Sequence, residues 1–347
     1  MASPLLVLPL HEEEESQETN INLFNLKTKT SHKLINLPKN PKDLRFVGSS
    51  HGWLIVIDKN TNIPFLLNPF SETLIHLPTK NIPSTIIKAI LSANPSSHKN
   101  YTVILIYEHG YNNTKLAFCR HGNEEWTYLE GEPETYYDIV CTDLNNNILL
   151  ALGPGPLVEA WDLGVPIPKK KTLIQDSCPK TLLENENIFP NDLYTSQWYL
   201  ALSFGQIFLV VRYIGEFVRY DGKVVYEGDT LTDYASEPLV CPYRTVDFKL
   251  DLENKNWIEV DCLDDFAMFL GGNQSMMLST TIHRELKRNV IYFTDDYWDR
   301  MNEDYSYGGH DMGIYNMEYG IIDAINVDCQ EQLQRIVPPP FWITLPD

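Results

Sequence analysis

The chain has 347 residues, with 47 Asp and Glu against 27 Lys and Arg, a formal net charge of −20, and 43% hydrophobic and 12% aromatic residues. That apolar content can fill a large core, which excludes wholesale disorder. The acidic balance excludes a nucleic-acid backbone as the main partner, because phosphate binding needs a basic face.

The first ten residues carry no charged side chain and are broken by Pro4 and Pro9. They lack the basic start and long apolar run of a secretory signal. No stretch reaches the roughly 20 apolar residues of a membrane span; the run Ala201–Val211 comes nearest and stops at Arg212. A cytoplasmic or nuclear protein with no membrane partner is expected. Residues 11–20, with Glu12–Glu15, read as a solvated acidic loop.

Short strand-like segments then follow one another. They are Gly52–Asp58, Ile63–Leu67, Tyr101–Tyr107, Lys115–Cys119, Asn147–Leu152, Gln197–Phe204, Gln206–Arg212, Arg244–Leu250 and Val290–Thr294. They are rich in β-branched and aromatic residues and punctuated by Asn, Asp, Gly and Pro. Pro179–Ile188 is the one good candidate for a helix. Strands at this spacing, without helices between them, predict an all-β fold.

One hairpin pattern recurs: two or three apolar residues, a polar turn anchor, a few polar residues, and a second apolar strand. Its anchors are Asn25, Asn68, Arg120, Asp162, Asp251 and Asn316, separated by 43, 52, 42, 89 and 65 residues. The first three gaps match a propeller blade of about 40–50 residues. The long gaps hold two insertions, residues 215–243 and the acidic, aromatic loop 295–310. The pattern predicts one domain over residues 1–347, a β-propeller of six blades with four antiparallel strands each. Pairing of N- and C-terminal strands, the latter within Pro338–Leu345, would close the ring and remove its sheet edges.

The ordered set of motifs resembles the KIB-type β-propeller domain of plant F-box proteins, also called domain of unknown function 295. The matching pieces include Gly52-Trp53, Asn68-Pro69, Leu209–Tyr213 with Arg212, Phe269–Ser275 with Gly271 and Asn273, Ile291–Asp296 with Tyr292, Phe293 and Asp295, and Pro338–Thr344. The resemblance implies structural roles for these residues. It also implies a substrate receptor of a cullin-type ubiquitin ligase, a role that in the family depends on an F-box docking onto a Skp-type adaptor. Pro4–Leu10 already reads as propeller, so no F-box is expected ahead of it, and the adaptor becomes a partner only if an F-box is supplied.

No Gly-x-Ser-x-Gly elbow occurs, and Gly48-Ser49-Ser50-His51-Gly52 reads as a turn rather than a catalytic dyad. The loop acids lack the spacing and glycine of a calcium loop. The interleaved Asp296, Tyr297, Trp298, Asp299, Tyr305 and Tyr307 suit a protein-binding surface. Gly271 and Gly272 are expected at positive φ. Trp126 and Trp257, at matching places in two repeats, are read as blade packing. Six scattered cysteines without a Cys-x-x-Cys pair are expected to be buried thiols, and the glycosylation triplets at Asn112 and Asn273 are expected to be chance matches. The expectation is a non-enzymatic interaction module without cofactor or metal and with an unidentified protein target. The alternative is an enzyme acting through channel carboxylates on a small or sugar-like ligand.

Overall fold

A computed structural model describes residues 4–8, 21–34, 37, 39–40, 43–111, 113–131, 133–142, 147–175, 177–191, 193–215, 241–296, 311–325 and 340–344. Six sheets account for the strands. Blade 1 joins β1 (Leu5–Leu8), β2 (Ile21–Asn25) and β3 (Thr30–Leu34) to the terminal strand β25 (Phe341–Ile343). Blade 2 is β4 (Leu44–Ser50), β5 (Trp53–Asp58), β6 (Pro64–Asn68) and β7 (Thr73–His76). Blade 3 is β8 (Ile86–Leu91), β9 (Thr102–Glu108), β10 (Thr114–Arg120) and β11 (Thr127–Leu129). Blade 4 is β12 (Asp138–Cys141), β13 (Ile148–Gly153), β14 (Leu157–Asp162) and β15 (Lys169–Ile174). The helix α1 (Lys180–Ile188) leads to blade 5: β16 (Tyr194–Ser203), β17 (Gln206–Gly215), β18 (Cys241–Asp251) and β19 (Asn256–Val260). Blade 6 holds β20 (Phe266–Leu270), β21 (Met276–Ser279), β22 (Val290–Phe293), β23 (Gly313–Asn316) and β24 (Ile321–Ala324).

The fold is therefore the predicted all-β, six-bladed ring, and its closure is the predicted one: β1 pairs antiparallel with β25, Leu5 opposite Ile343. Blade 6 departs from the four-stranded antiparallel plan. Its order is β21-β20-β22-β23-β24, and β20 runs parallel to β22. After β20 the chain turns back as β21, which takes the innermost place beside β16, and a loop then returns it to start β22.

The strands are apolar on both sides because each blade is sandwiched between two others. Strand β5 shows the rule. Trp53, Ile55 and Ile57 enter the core shared with blade 3, while Leu54 and Val56 enter the core shared with blade 1. The buried residues form six clusters, one at each junction around the ring. Each fully buried Leu, Ile or Phe contributes roughly 1.5–3 kcal/mol. Hydrogen bonds tie blades together as well. Trp126 Nε1 donates to the Pro78 carbonyl (2.7 Å) and Trp257 Nε1 to that of Pro156 (3.2 Å), each in the preceding blade. Both tryptophans are thus the blade-packing residues expected.

The six anchors fall at the outer hairpins. Asn25, Asn68, Asp251 and Asn316 each accept two backbone N–H bonds from the turn with Oδ1, at 2.9–3.3 Å. The fourth residue on takes positive φ: 53° at Lys29, 56° at Glu72, 51° at Lys255 and 64° at Gly320. This is an Asx turn followed by a left-handed residue, a compact way to reverse a strand. Lys169–Lys171 lie in β15, the exposed outer strand of blade 4, where lysines discourage pairing with another chain. Among the described cysteines, Cys119 and Cys141 are buried but Cys178 and Cys262 are exposed, against expectation. These two lie in connecting segments beside α1 and β19, outside the blade cores. Most of residues 215–243 lie outside the described residues, as does the acidic loop 11–20. No helix among the described residues is long and apolar enough to cross a membrane.

Ring closure predicts a large penalty at Trp342, which is 0% exposed and sits in the core between blades 6 and 1. Trp342→Ala should cost about 3–5 kcal/mol, measured as a lower urea midpoint.

Candidate functional site: a polar network across the propeller axis

The innermost strands carry polar residues that an apolar interior would exclude unless they were paired. Lys88 stands in the apolar run Ile86–Leu91 of β8, and its Nζ lies 2.7 Å from Asp138 Oδ1 at the start of β12. Lys88 also donates to the carbonyl of Gly271 (3.2 Å). The second oxygen of Asp138 accepts the Leu200 N–H (2.8 Å) and the Ser275 hydroxyl (3.4 Å). The Gln274 N–H donates to the Ser49 carbonyl (2.9 Å), and Ser50 Oγ donates to Gln274 Oε1 (2.8 Å). The segment Gly271–Ser275 belongs to blade 6, whose neighbours are blades 5 and 1. Its bonds go to blades 2, 3 and 4, so it passes through the centre of the ring.

Arg212 forms the second half of the network. Alternation along β17 places it on the face of Phe208 and Val210, which packs against blade 6. Its Nη2 donates to Asp311 Oδ2 (2.5 Å) and its Nη1 to the Tyr199 hydroxyl (3.0 Å), which in turn donates to Asp296 Oδ1 (2.9 Å). The guanidinium lies 4.1 Å from the centre of the Phe293 ring. Arg212 and Asp311 are both almost fully buried. Burial pulls the Arg212 pKa down, but Tyr199, Asp311 and Asp296 outweigh it and the net shift is upward.

Among the described residues, the axis holds two cations, Lys88 and Arg212, against four carboxyl groups, Asp138, Asp295, Asp296 and Asp311. Burial pushes Asp296 up to about 6, against the pull of Arg212 and Lys88. It pushes Asp311 up to about 7, against the pull of Arg212 and with a further push from Asp295. Both shifts have the direction that burial and an acidic excess in a low-dielectric site produce. No group of three or more His, Cys, Asp or Glu among the described residues is placed to hold a metal ion.

The residues singled out by sequence take the following places. Gly52, with φ 79°, follows His51, with φ 51°, in the two-residue turn from β4 to β5. Trp53 is buried and donates from Nε1 to Asn94 of blade 3 (3.1 Å). Asn68 and Pro69 open the outer turn of blade 2. Gly271 takes φ 146°, and a Cβ there would stand 2.1 Å from Thr294 Oγ1; Gly272 does not take positive φ. Asn273 is 0% exposed and donates to the Gln274 carbonyl (2.8 Å), so its glycosylation triplet is inaccessible. Tyr292 stacks on Phe269 with ring centres 4.6 Å apart, and its hydroxyl accepts the Lys287 N–H (3.1 Å). Phe293 lies against Arg212, and Asp295 is buried beside it.

Asp296 corrects the surface expectation: it is buried and bonded to Tyr199. Its neighbours in sequence are acidic and aromatic, but it lies three residues beyond β22, on the side of Tyr199 and Arg212. Tyr297, Trp298, Asp299, Tyr305 and Tyr307 lie outside the described residues, as does Asn112. Sequence reasoning misses Lys88, Asp138 and Tyr199. A lone lysine inside an apolar strand is the available signal for the first of them.

The charge balance of the axis yields two predictions. Arg212→Met strands two buried carboxyls and should cost about 3–5 kcal/mol; adding Asp311→Asn should recover part of it in the same denaturation series. Asp296 and Asp311 have folded pKa values raised above the unfolded ones. Their contribution to stability is full below about pH 4 and is lost as the pH rises through about 6 to 7. Thermal melts between about pH 5 and 8 should show this fall, and Asp311→Asn should flatten it.

The KIB1-4 beta-propeller family model matches residues 23–316. No curated protein matches the chain. Among solved structures, the N-terminal domain of Nup159 is 12% identical over 71% of this chain and 57% of its own, with a TM-score of 0.38. TolB from Acinetobacter baumannii is 8% identical over 99% of this chain and 66% of its own, with a TM-score of 0.44. The chain spans a little over half the length of the first of these, and likeness at this level carries no argument about activity. The family model is different in kind, since it runs from β2 to the end of β23 and takes in the axial network; the chain belongs to the KIB1-4 β-propeller family.

Proposed function

We propose that the chain is a non-enzymatic protein-interaction module, used as a substrate receptor of a cullin-type ubiquitin ligase when an F-box supplies adaptor docking. The observation that carries the reading is the combination of family membership with a ring whose axis is crossed by Gly271–Ser275. Asp138, Asp296 and Asp311 on that axis are bonded to protein groups and buried, which favours a structural role for them over carboxylate catalysis. What remains for recognition is the outer surface of the blades and their loops, the common place for specificity on a rigid scaffold. Work inside the cytoplasm or nucleus fits this role.

The test is affinity capture from plant cells of the chain alone, of the chain fused behind an F-box, and of a ring-opened control with Phe341–Ile343 deleted. A common target should be enriched by the first two and lost from the control, and a Skp-type adaptor should join only with the fusion. A target set no different from that of the control overturns the proposal.

A further inference from the structure

The chain crosses from one blade to the next in nine residues between β3 and β4, nine between β7 and β8, eight between β11 and β12 and five between β19 and β20. Between β15 of blade 4 and β16 of blade 5 it takes 19, residues 175–193, and these contain α1. The crossing is thus more than twice as long as the connection needs, and the extra length folds onto the junction. Leu182 of α1 and Phe189 just after it belong to the core shared by blades 4 and 5. Phe189 lies against Tyr213, with ring centres 4.6 Å apart, and against Tyr194, at 5.2 Å. Thr181 donates to Glu259 on the outer strand of blade 5 (2.7 Å). No strand lies among the described residues of this crossing, so lifting α1 breaks no sheet hydrogen bond.

We propose that α1 is a strap that opens as a unit from the junction of blades 4 and 5 while the ring stays closed. Its inward face is set by Leu182, Asn185 and Phe189, which are buried. Asn185 is 1% exposed, and its Nδ2 has no hydrogen-bond partner. A buried donor left unpaired weakens the closed state by roughly tenfold against an open state in which water reaches it. Leu183 and Ile188, the residues able to supply further apolar contact, are instead half exposed. The helix has little support of its own. Its nine residues fall short of the roughly 12–15 at which an isolated helix becomes marginal in water. Pro179 at the N-cap makes no side-chain bond, and neither an acid in the first turn nor a base in the last favours the helix dipole. Lys180 and Glu184 pair at 3.2 Å, but both are largely exposed and the pair contributes little. The closed state therefore depends on two apolar anchors and the bond from Thr181. Opening uncovers Tyr213, which is otherwise buried, and the apolar wall behind it. A ligand of that wall meets only the open fraction of molecules, so α1 lowers its apparent affinity by that fraction. The strap is a property of the ring and stands whether or not the chain serves as a receptor.

Native-state hydrogen exchange of the full chain, followed by mass spectrometry at several urea concentrations below the unfolding transition, tests the strap. After correction for intrinsic rates, the amides of residues 183–189 should exchange through one shared opening, at least about a thousandfold more populated than the opening that exposes β9. That opening should grow with urea, but less steeply than global unfolding, as release of a single packed element requires. Asn185→Leu should slow exchange of these amides about tenfold, and Phe189→Ala should speed it at least about tenfold, with β9 and β10 of blade 3 unchanged in both. Amides of α1 that exchange only with the global opening, or that exchange one by one without urea dependence, overturn the strap. So does an Asn185→Leu variant whose α1 exchange is unaltered.

Discussion

The structure rests on burial of every blade from both sides. The buried strands of a blade send alternate residues into two different cores, so the six junctions share their walls. A blade cannot be displaced without opening two apolar surfaces at once. Close packing enforces this locally. Gly48 of β4 lies so near β8 that a Cβ would stand 1.9 Å from the Ala89 carbonyl oxygen. The inner strands of blades 2 and 3 therefore meet at a distance that only glycine permits.

The axial network follows from that packing. Inner strands converge where there is no room for large apolar side chains from six directions, and the space goes to polar groups that must then be paired. Arg212 links blades 5 and 6, and Lys88 with Asp138 links blades 3 and 4. The crossing segment Gly271–Ser275 joins the far sides. The network adds direction to an otherwise non-directional core. Apolar clusters hold blades together, while these bonds fix which residues face each other across the ring. Buried pairs of this kind contribute little net stability when compared with apolar substitutes, and they matter most when one partner is lost.

The ring was legible in the sequence because its outer hairpins are written in local chemistry. Asn25, Asn68, Asp251 and Asn316 act through bonds to residues two and three positions on, so the anchor and its turn sit in one short window. The closing strand was legible for a similar reason: Phe341-Trp342-Ile343 is an apolar segment with nothing local to pair with. Blade 6 was not, since the alternation that marks β20, β21 and β22 as strands carries no information about which lies innermost. The axis was only half legible. Arg212 stood out as a motif residue, but its partners are set by pairing and packing that no short window shows: Tyr199 by the β16–β17 hairpin and Asp311 by the contact of blade 5 with blade 6. Asp296 was misread because its sequence neighbours suggest solvent, whereas the bond from Tyr199 of blade 5 holds it in the buried network.

The pairing of β1 with β25 also orders events in time. Strand β1 is among the first segments of this sequence to be made, and the strand that completes its sheet is among the last. Blades 2 to 5 consist of consecutive strands and can form as they emerge, but blade 1 stays incomplete until β25 has been made, with Leu6 and Leu8 lacking the wall that Trp342 supplies. Contacts between such distant segments are slow to form and leave apolar surface exposed meanwhile. The pairing of β1 with β25 thus joins the most widely separated strands of the ring, and until it forms the apolar faces of blade 1 lack one wall.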